Sequence, residues 1–197
     1  MKLKALFASA LLGFAACANA SVMTFDNVPV TDGVSLPGFN TAGFQFSDSA
    51  SVIDVSPGSP FGEGTNGGHS GMYATLNDFV PGGTLVMNRV GGGLMSVANL
   101  WIHGWLGSAD DLLIEGYRDD VIVQTANYSF SDSWELLALN FNNIDTLTLS
   151  SFSLFLVDDL NATPRDATPP GTVPEPTTLL LFVAALAALA FARKRRA

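Results

Sequence analysis

The chain has 197 residues, is 48% hydrophobic, contains 14% charged residues and has a formal net charge of −9. Six of its nine basic residues, Lys2, Lys4, Arg193, Lys194, Arg195 and Arg196, lie at the two ends, so between them Arg89, Arg118 and Arg165 face seventeen acids from Asp26 to Asp166, a net −14. Such a surface repels phosphate backbones and anionic lipid, which argues against nucleic acid and peripheral membrane partners and leaves cations and neutral polar ligands open.

The first twenty residues read as a secretory signal helix. Lys2 and Lys4 precede an apolar run over 5–16, and Ala18-Asn19-Ala20 supplies a small-residue cleavage site between Ala20 and Ser21. The implied partners are the Sec export machinery and signal peptidase. The single cysteine, Cys17, lies in this leader, so a chain cut after Ala20 has no disulfide, thiolate metal site or cysteine nucleophile. Its core must hold the fold by burial alone.

From Ser21 to Leu160 no apolar period sustains three helical turns. Short branched and aromatic runs follow one another instead: "SVMTF" from Ser21, "GFQFS" from Gly43, "SVIDV" from Ser51, "MYATL" from Met72 and "TLVMN" from Thr84. A stronger series follows, with "LMSVANLWIHGW" from Leu94, "DLLIEGY" from Asp111, "VIVQTANYSF" from Val121, "WELLALNF" from Trp134, "DTLTLSS" from Asp145 and "FSLFLVDDL" from Phe152. One strand in every ten or so residues predicts an all-β fold, an antiparallel β-sandwich of roughly nine to eleven strands. Arg118-Asp119-Asp120, between two such runs, predicts a hairpin.

In the last run, alternation places Phe152, Leu154, Leu156 and Asp158 on one face and Ser153, Phe155 and Val157 on the other, so Asp158 ends a core-facing row if the Phe152 face is the buried one. The Gly-rich stretch 56–71 is long enough to be the best loop candidate for a binding edge. Residues 161–172, rich in Pro and Thr, predict an extended linker after a domain spanning 21–160.

The end of the chain, 173–197, joins Pro174-Glu175-Pro176 to a fourteen-residue apolar run, 179–192, and the basic block Arg193, Lys194, Arg195 and Arg196. The run predicts a short apolar helix, below the roughly twenty residues that cross a bilayer, and the arginine block should stay cytoplasmic. A thin single-pass anchor is one reading. The order of the three parts, however, closely resembles the PEP-CTERM sorting signal of exported proteins, a tail also catalogued as an ice-binding protein C-terminal domain. That resemblance implies recognition in the inner membrane by an exosortase-like processing enzyme, transient anchoring, release to the envelope, surface or extracellular matrix, and association with exopolysaccharide.

A second resemblance rests on "TFDN" from Thr24, "LLIEGYRDDVIVQT" from Leu112, "LNFNNIDTLTLSS" from Leu139 and "FLVDDL" from Phe155. These runs are similar to the jelly-roll sandwich common in PEP-CTERM proteins, itself similar to carbohydrate-binding modules. It implies a structural calcium ion between the first and last strands, held by Asp26, Asp158 and Asp159. The competing role for these aspartates is capping strand ends or bonding backbone.

Neutral sugars stack on aromatic planes, and Trp105, Trp101 and Tyr117 are the expected platforms, with Trp105 first because it adjoins a loop. The competing and commoner role of each tryptophan is core, because a disulfide-free sandwich needs large apolar side chains. Catalytic motifs are missing: there is no G-x-S-x-G, no H-E-x-x-H, and His69 and His103 are the only candidate bases for a triad. The expectation is an exported non-enzymatic protein that binds polysaccharide, with a ligand-free structural matrix protein as the alternative and a glycan-active enzyme third.

Overall fold

The computed structural model describes residues 21–30, 36–63, 65, 67–77 and 83–165. The leader up to Ala20 and everything after Arg165, including the Pro174-Glu175-Pro176 motif, lie outside the described residues. All described residues fall within one compact unit, Met1–Asp166.

The strands are β1 (Ser21–Met23), β2 (Leu36–Pro37), β3 (Asn40–Thr41), β4 (Phe44–Phe46), β5 (Ser51–Asp54), β6 (Tyr73–Leu76), β7 (Thr84–Arg89), β8 (Leu94–Gly104), β9 (Asp110–Arg118), β10 (Val121–Phe130), β11 (Glu135–Ile144), β12 (Thr146–Ser150) and β13 (Phe155–Arg165). Among the described residues the one helical element is the 3-10 turn Trp105–Gly107. The eleven expected runs all form strands, and the two additional ones, β2 and β3, are only two residues long. Two residues carry no alternation to read.

Two antiparallel sheets result, ordered β11-β8-β13-β6-β5-β2, with β1 also on β13, and β10-β9-β12-β7-β4-β3. Between them lies the main core, in which Phe44, Phe46, Leu85, Met87, Val97, Ile102, Ile114, Leu147, Phe155 and Val157 are buried. Each comes from the inward phase of a period-two strand. This is the antiparallel sandwich that the runs predict, in the jelly-roll-like form that the resemblance implies.

The β9–β10 turn shows how local chemistry sets register. Asp119 and Asp120 both adopt positive φ, 52° and 62°, and Arg118 pairs directly with Val121. A two-residue turn of that hand matches the twist of its strands, and aspartate tolerates left-handed backbone better than most residues. The Asp119 amide also donates to Asp145 Oδ2 at 2.7 Å.

The structure decides one open point about β13 and corrects another. First, the core-facing row of β13 is Phe155 and Val157, while Leu156 and Asp158 point to the outer face of the sheet and Phe152 stands in the preceding turn, 85% exposed. Leu156 is nevertheless fully buried, in a second apolar cluster with Ile53, Val55, Ala74, Leu76 and Trp105. The segment between β5 and β6 covers that outer face, so both phases of β13 are buried and alternation alone cannot choose between them. Second, β13 runs to Arg165, taking five residues expected in the linker into register with β8, Thr163 on Ser96 and Arg165 on Leu94. Pro164 lies beyond the end of β1, where among the described residues one side of β13 has no partner strand, and a proline is tolerated there.

Candidate functional site

Two regions of the molecule concentrate polar chemistry. They lie on the outer faces of the two sheets.

On the first sheet, cross-strand register lines up Leu136 of β11, Trp101 of β8 and Asp158 of β13. The β5–β6 segment lies over this row, and its backbone needs partners once it leaves water. Ser70 N donates to Asp158 Oδ2 at 2.9 Å, and Met72 N and Tyr73 N donate to Asp26 Oδ1 at 2.9 and 3.3 Å. The Ser70 hydroxyl donates to Asp159 Oδ1 at 2.7 Å, and His69 Nδ1 meets Asp159 Oδ2 at 2.6 Å. Asp158 Oδ1 also accepts the Asp159 amide at 2.7 Å. Asp26, Asp158 and Asp159 thus do come together, and what they hold is the segment.

Asp158 is completely buried. Burial pushes its carboxyl up to about 7, against the pull of the Ser70 and Asp159 amides and with added repulsion from Asp159 and Asp26. Five of the six carboxylate oxygens already accept bonds from the protein, so a calcium ion of the kind the resemblance implies would have to share them with the segment. Among the described residues no group of three or more His, Cys, Asp or Glu is placed to hold a metal ion.

The tryptophans serve the same segment. The Trp105 indole N–H donates to Phe61 O at 3.1 Å, and that of Trp134 donates to Gly67 O at 3.2 Å. The His69 ring stacks on Trp101 with centroids 3.6 Å apart and planes at 15°. Trp105 is only 7% exposed, which removes it as a sugar platform, and one face of Trp101 is covered. Large apolar rings with one N–H suit this job, since they bury area and satisfy a loop carbonyl together.

His103 is likewise structural. It is buried, its Nδ1–H donates to Gly104 O at 2.7 Å, and burial holds its pKa below the usual imidazole value. Ser70 gives its proton to Asp159 and not to His69, so the adjacent Ser and His form no nucleophile–base pair.

The outer face of the second sheet is open. Along β9 the outward residues are Leu113, Glu115 and Tyr117, flanked by Asn127 and Thr125 of β10 and by Ser150, Thr148 and Thr146 of β12. Tyr117 is on this face as an accessible ring, its hydroxyl donating to Glu115 Oε2 at 2.7 Å, which raises its pKa. At the other end of the face is a groove of ≈ 440 Å³ bounded by Asp110, Asp111, Leu113, Asn127, Ser150, Ser151 and Phe152. A shallower depression of ≈ 390 Å³ adjoins it at Asp111, Asn127 and Ser129.

The floor of this groove is Leu113, and its lip is the Phe152 ring in the β12–β13 turn. Asp111 Oδ1 accepts from Ser129 at 2.6 Å, and Asp110 Oδ1 accepts the Asp111 amide at 2.7 Å. That amide bond, with the serines of the turn, holds the Asp110 carboxyl below its usual range. Apolar floor, exposed ring, amide and ionised carboxylate therefore meet in one open space. Reading from the sequence misses Phe152, whose neighbours Ser151 and Ser153, after a strand that ends at Ser150, are the available sign of a turn.

Comparison with known proteins identifies the C-terminal segment. Residues 172–196 match the PEP-CTERM protein-sorting motif. No curated protein matches the chain. Among solved structures, similar ones are a family 29 carbohydrate-binding module from Piromyces equi, at 11% identity over 77% of this chain and 93% of that one, TM-score 0.40. Another is TmCBM61 in complex with β-1,4-galactotriose, at 13% identity over 69% and 100%, TM-score 0.38. A third is the family 11 module of the cellulase Lic26A-Cel5E of Clostridium thermocellum, at 11% identity over 77% and 98%, TM-score 0.35. The sorting motif marks an exported protein with a membrane-anchored tail before processing.

Proposed function

We propose that the domain is a non-catalytic saccharide-binding module that acts outside the cell, with the Phe152 groove as its binding site. The observation that carries this reading is the 85% exposure of the Phe152 ring beside Leu113, Asn127, Asp110 and Asp111. A pyranose offers an apolar C–H face and a rim of hydroxyls. The ring and Leu113 suit the first, and the amide and carboxylates suit the second. Exopolysaccharide outside the cell is the ligand class in keeping with the sorting motif, and an exosortase-like enzyme is the processing partner.

Glycan hydrolysis fits the groove poorly. It needs a carboxylic acid with a raised pKa, and Asp110 is shifted the other way. The raised carboxyl, Asp158, is buried under the β5–β6 segment on the opposite sheet.

Titration of neutral oligosaccharides into the full chain and into Phe152→Ala tests the reading. A phenylalanine offers roughly 200 Å² and stacking covers about half of it, so loss of the ring costs about 2.5 kcal/mol at 25 cal/mol per Å². The expected weakening is about seventyfold, with an unchanged melting temperature because the ring is exposed. Absence of saturable binding to any neutral glycan would leave the structural matrix protein as the better account.

A further inference from the structure

The three arginines of the domain all lie at one pole. Arg118 flanks the β9–β10 turn, Arg89 ends β7, and Arg165 ends β13. Register places these ends together: Thr146 pairs with both Tyr117 and Asn88, and Arg89 Nη1 donates to Arg165 O at 2.8 Å. Three aspartates accompany them, Asp119, Asp120 and Asp145, so these charged side chains described at the pole balance.

The same pole bears exposed branched side chains, Val121, Ile122 and Val123 on β10 and Val90 after β7. A register shift between Ile122 and Gln124 turns successive side chains outward on this edge strand. An exposed apolar edge is a liability that soluble proteins usually cover.

The chain beyond the described residues says what covers it. The domain ends at Arg165, at this pole, and thirteen residues separate it from the apolar run 179–192 of the sorting motif. Thirteen residues reach at most about 45 Å when fully extended, which limits how far this pole can lie from the bilayer while the tail is anchored. We propose that, while the tail is anchored, the Val121–Val123 edge rests in the headgroup region of the bilayer, with the charge-balanced pole inward and the acidic remainder held away from anionic lipid. Tethering supplies a high local concentration, so a weak apolar contact suffices. Processing of the tail removes the tether, and the contact then releases.

The test uses the full-length chain carrying Cys17→Ser and one of Ile122→Cys or Phe152→Cys, labelled with an environment-sensitive fluorophore and inserted into phosphatidylethanolamine–phosphatidylglycerol vesicles. Nitroxide-bearing lipid should quench the label at position 122 and leave the label at 152, on the opposite pole, unaffected. Val121→Cys provides the same reading if Ile122→Cys accumulates poorly. Equal quenching at both poles, or none at 122, would overturn the proposal. So would a label at 122 already shielded in detergent micelles together with a dimer mass by light scattering, which would assign the edge to a second copy of the chain.

Discussion

Asp158 makes the stability of the domain depend on pH in a direction opposite to most carboxylates. Its folded pKa is raised to about 7 from 3.8, so between these values the native state holds a proton that the unfolded chain releases. The contribution to stability is complete below about pH 4, falls as pH rises through the folded value, and is flat above it. Three units at 1.36 kcal/mol each give about 4 kcal/mol, an upper figure because the neighbouring charges of Asp159 and Asp26 contribute to the shift. Asp158→Asn keeps the site neutral at every pH. Asparagine also turns an amide donor toward an N–H that the carboxylate now accepts, which adds a constant cost. Urea unfolding of both chains, followed by the tryptophans that pin the segment, should show the wild-type advantage shrinking by up to about 4 kcal/mol from pH 4 to pH 7.5. His103, Asp110 and Glu135, all shifted down, act in the other direction and cancel in the difference. A difference independent of pH would mean that Asp158 is ionised throughout, and the burial argument would fail.

Gly71 adopts φ of 68°, and a Cβ there would collide with the carboxylate of Asp26, which is fixed by the Met72 and Tyr73 amides. Gly71→Ala should therefore cost about 2–4 kcal/mol, read as a lowered urea midpoint, while Gly91→Ala, where nothing lies within 4 Å, should cost only its backbone strain. Calcium should not raise the melting temperature of the full chain over a chelator control, because the oxygens of Asp26, Asp158 and Asp159 serve the segment; a saturable rise would restore the ion to this cluster.

Much of this molecule can be read from its residues, and the failures have a common cause. The strands from Leu94 onward keep branched and aromatic side chains at period two against solvent on one side, and their positions follow directly. The core face of β13 stays undecided in the sequence because the β5–β6 segment buries its second face, a long-range event that no local pattern records. That event also explains the tryptophans. Trp101, Trp105 and Trp134 are the residue type expected at a sugar site, and each contacts the covering segment in this fold. The aspartates are the reverse case. Asp26, Asp158 and Asp159, singled out together by resemblance, do meet in space, but their partners are amides, a hydroxyl and an imidazole, whose positions depend on the path of a glycine-rich loop. Tyr117 is where alternation puts it, on an outward row, while Phe152 lies in a turn where alternation has no meaning.

Amide chemical-shift mapping of a neutral oligosaccharide on the isotopically labelled full chain tests the central claim most directly. Saturable shifts should concentrate at Asp111, Leu113, Asn127, Ser151 and Phe152, fading along β9 toward Tyr117, with the amides of Ser70, Met72 and Tyr73 unmoved. Shifts centred instead on Trp101 and the β5–β6 segment, with the Phe152 turn silent, would contradict the assignment of the site.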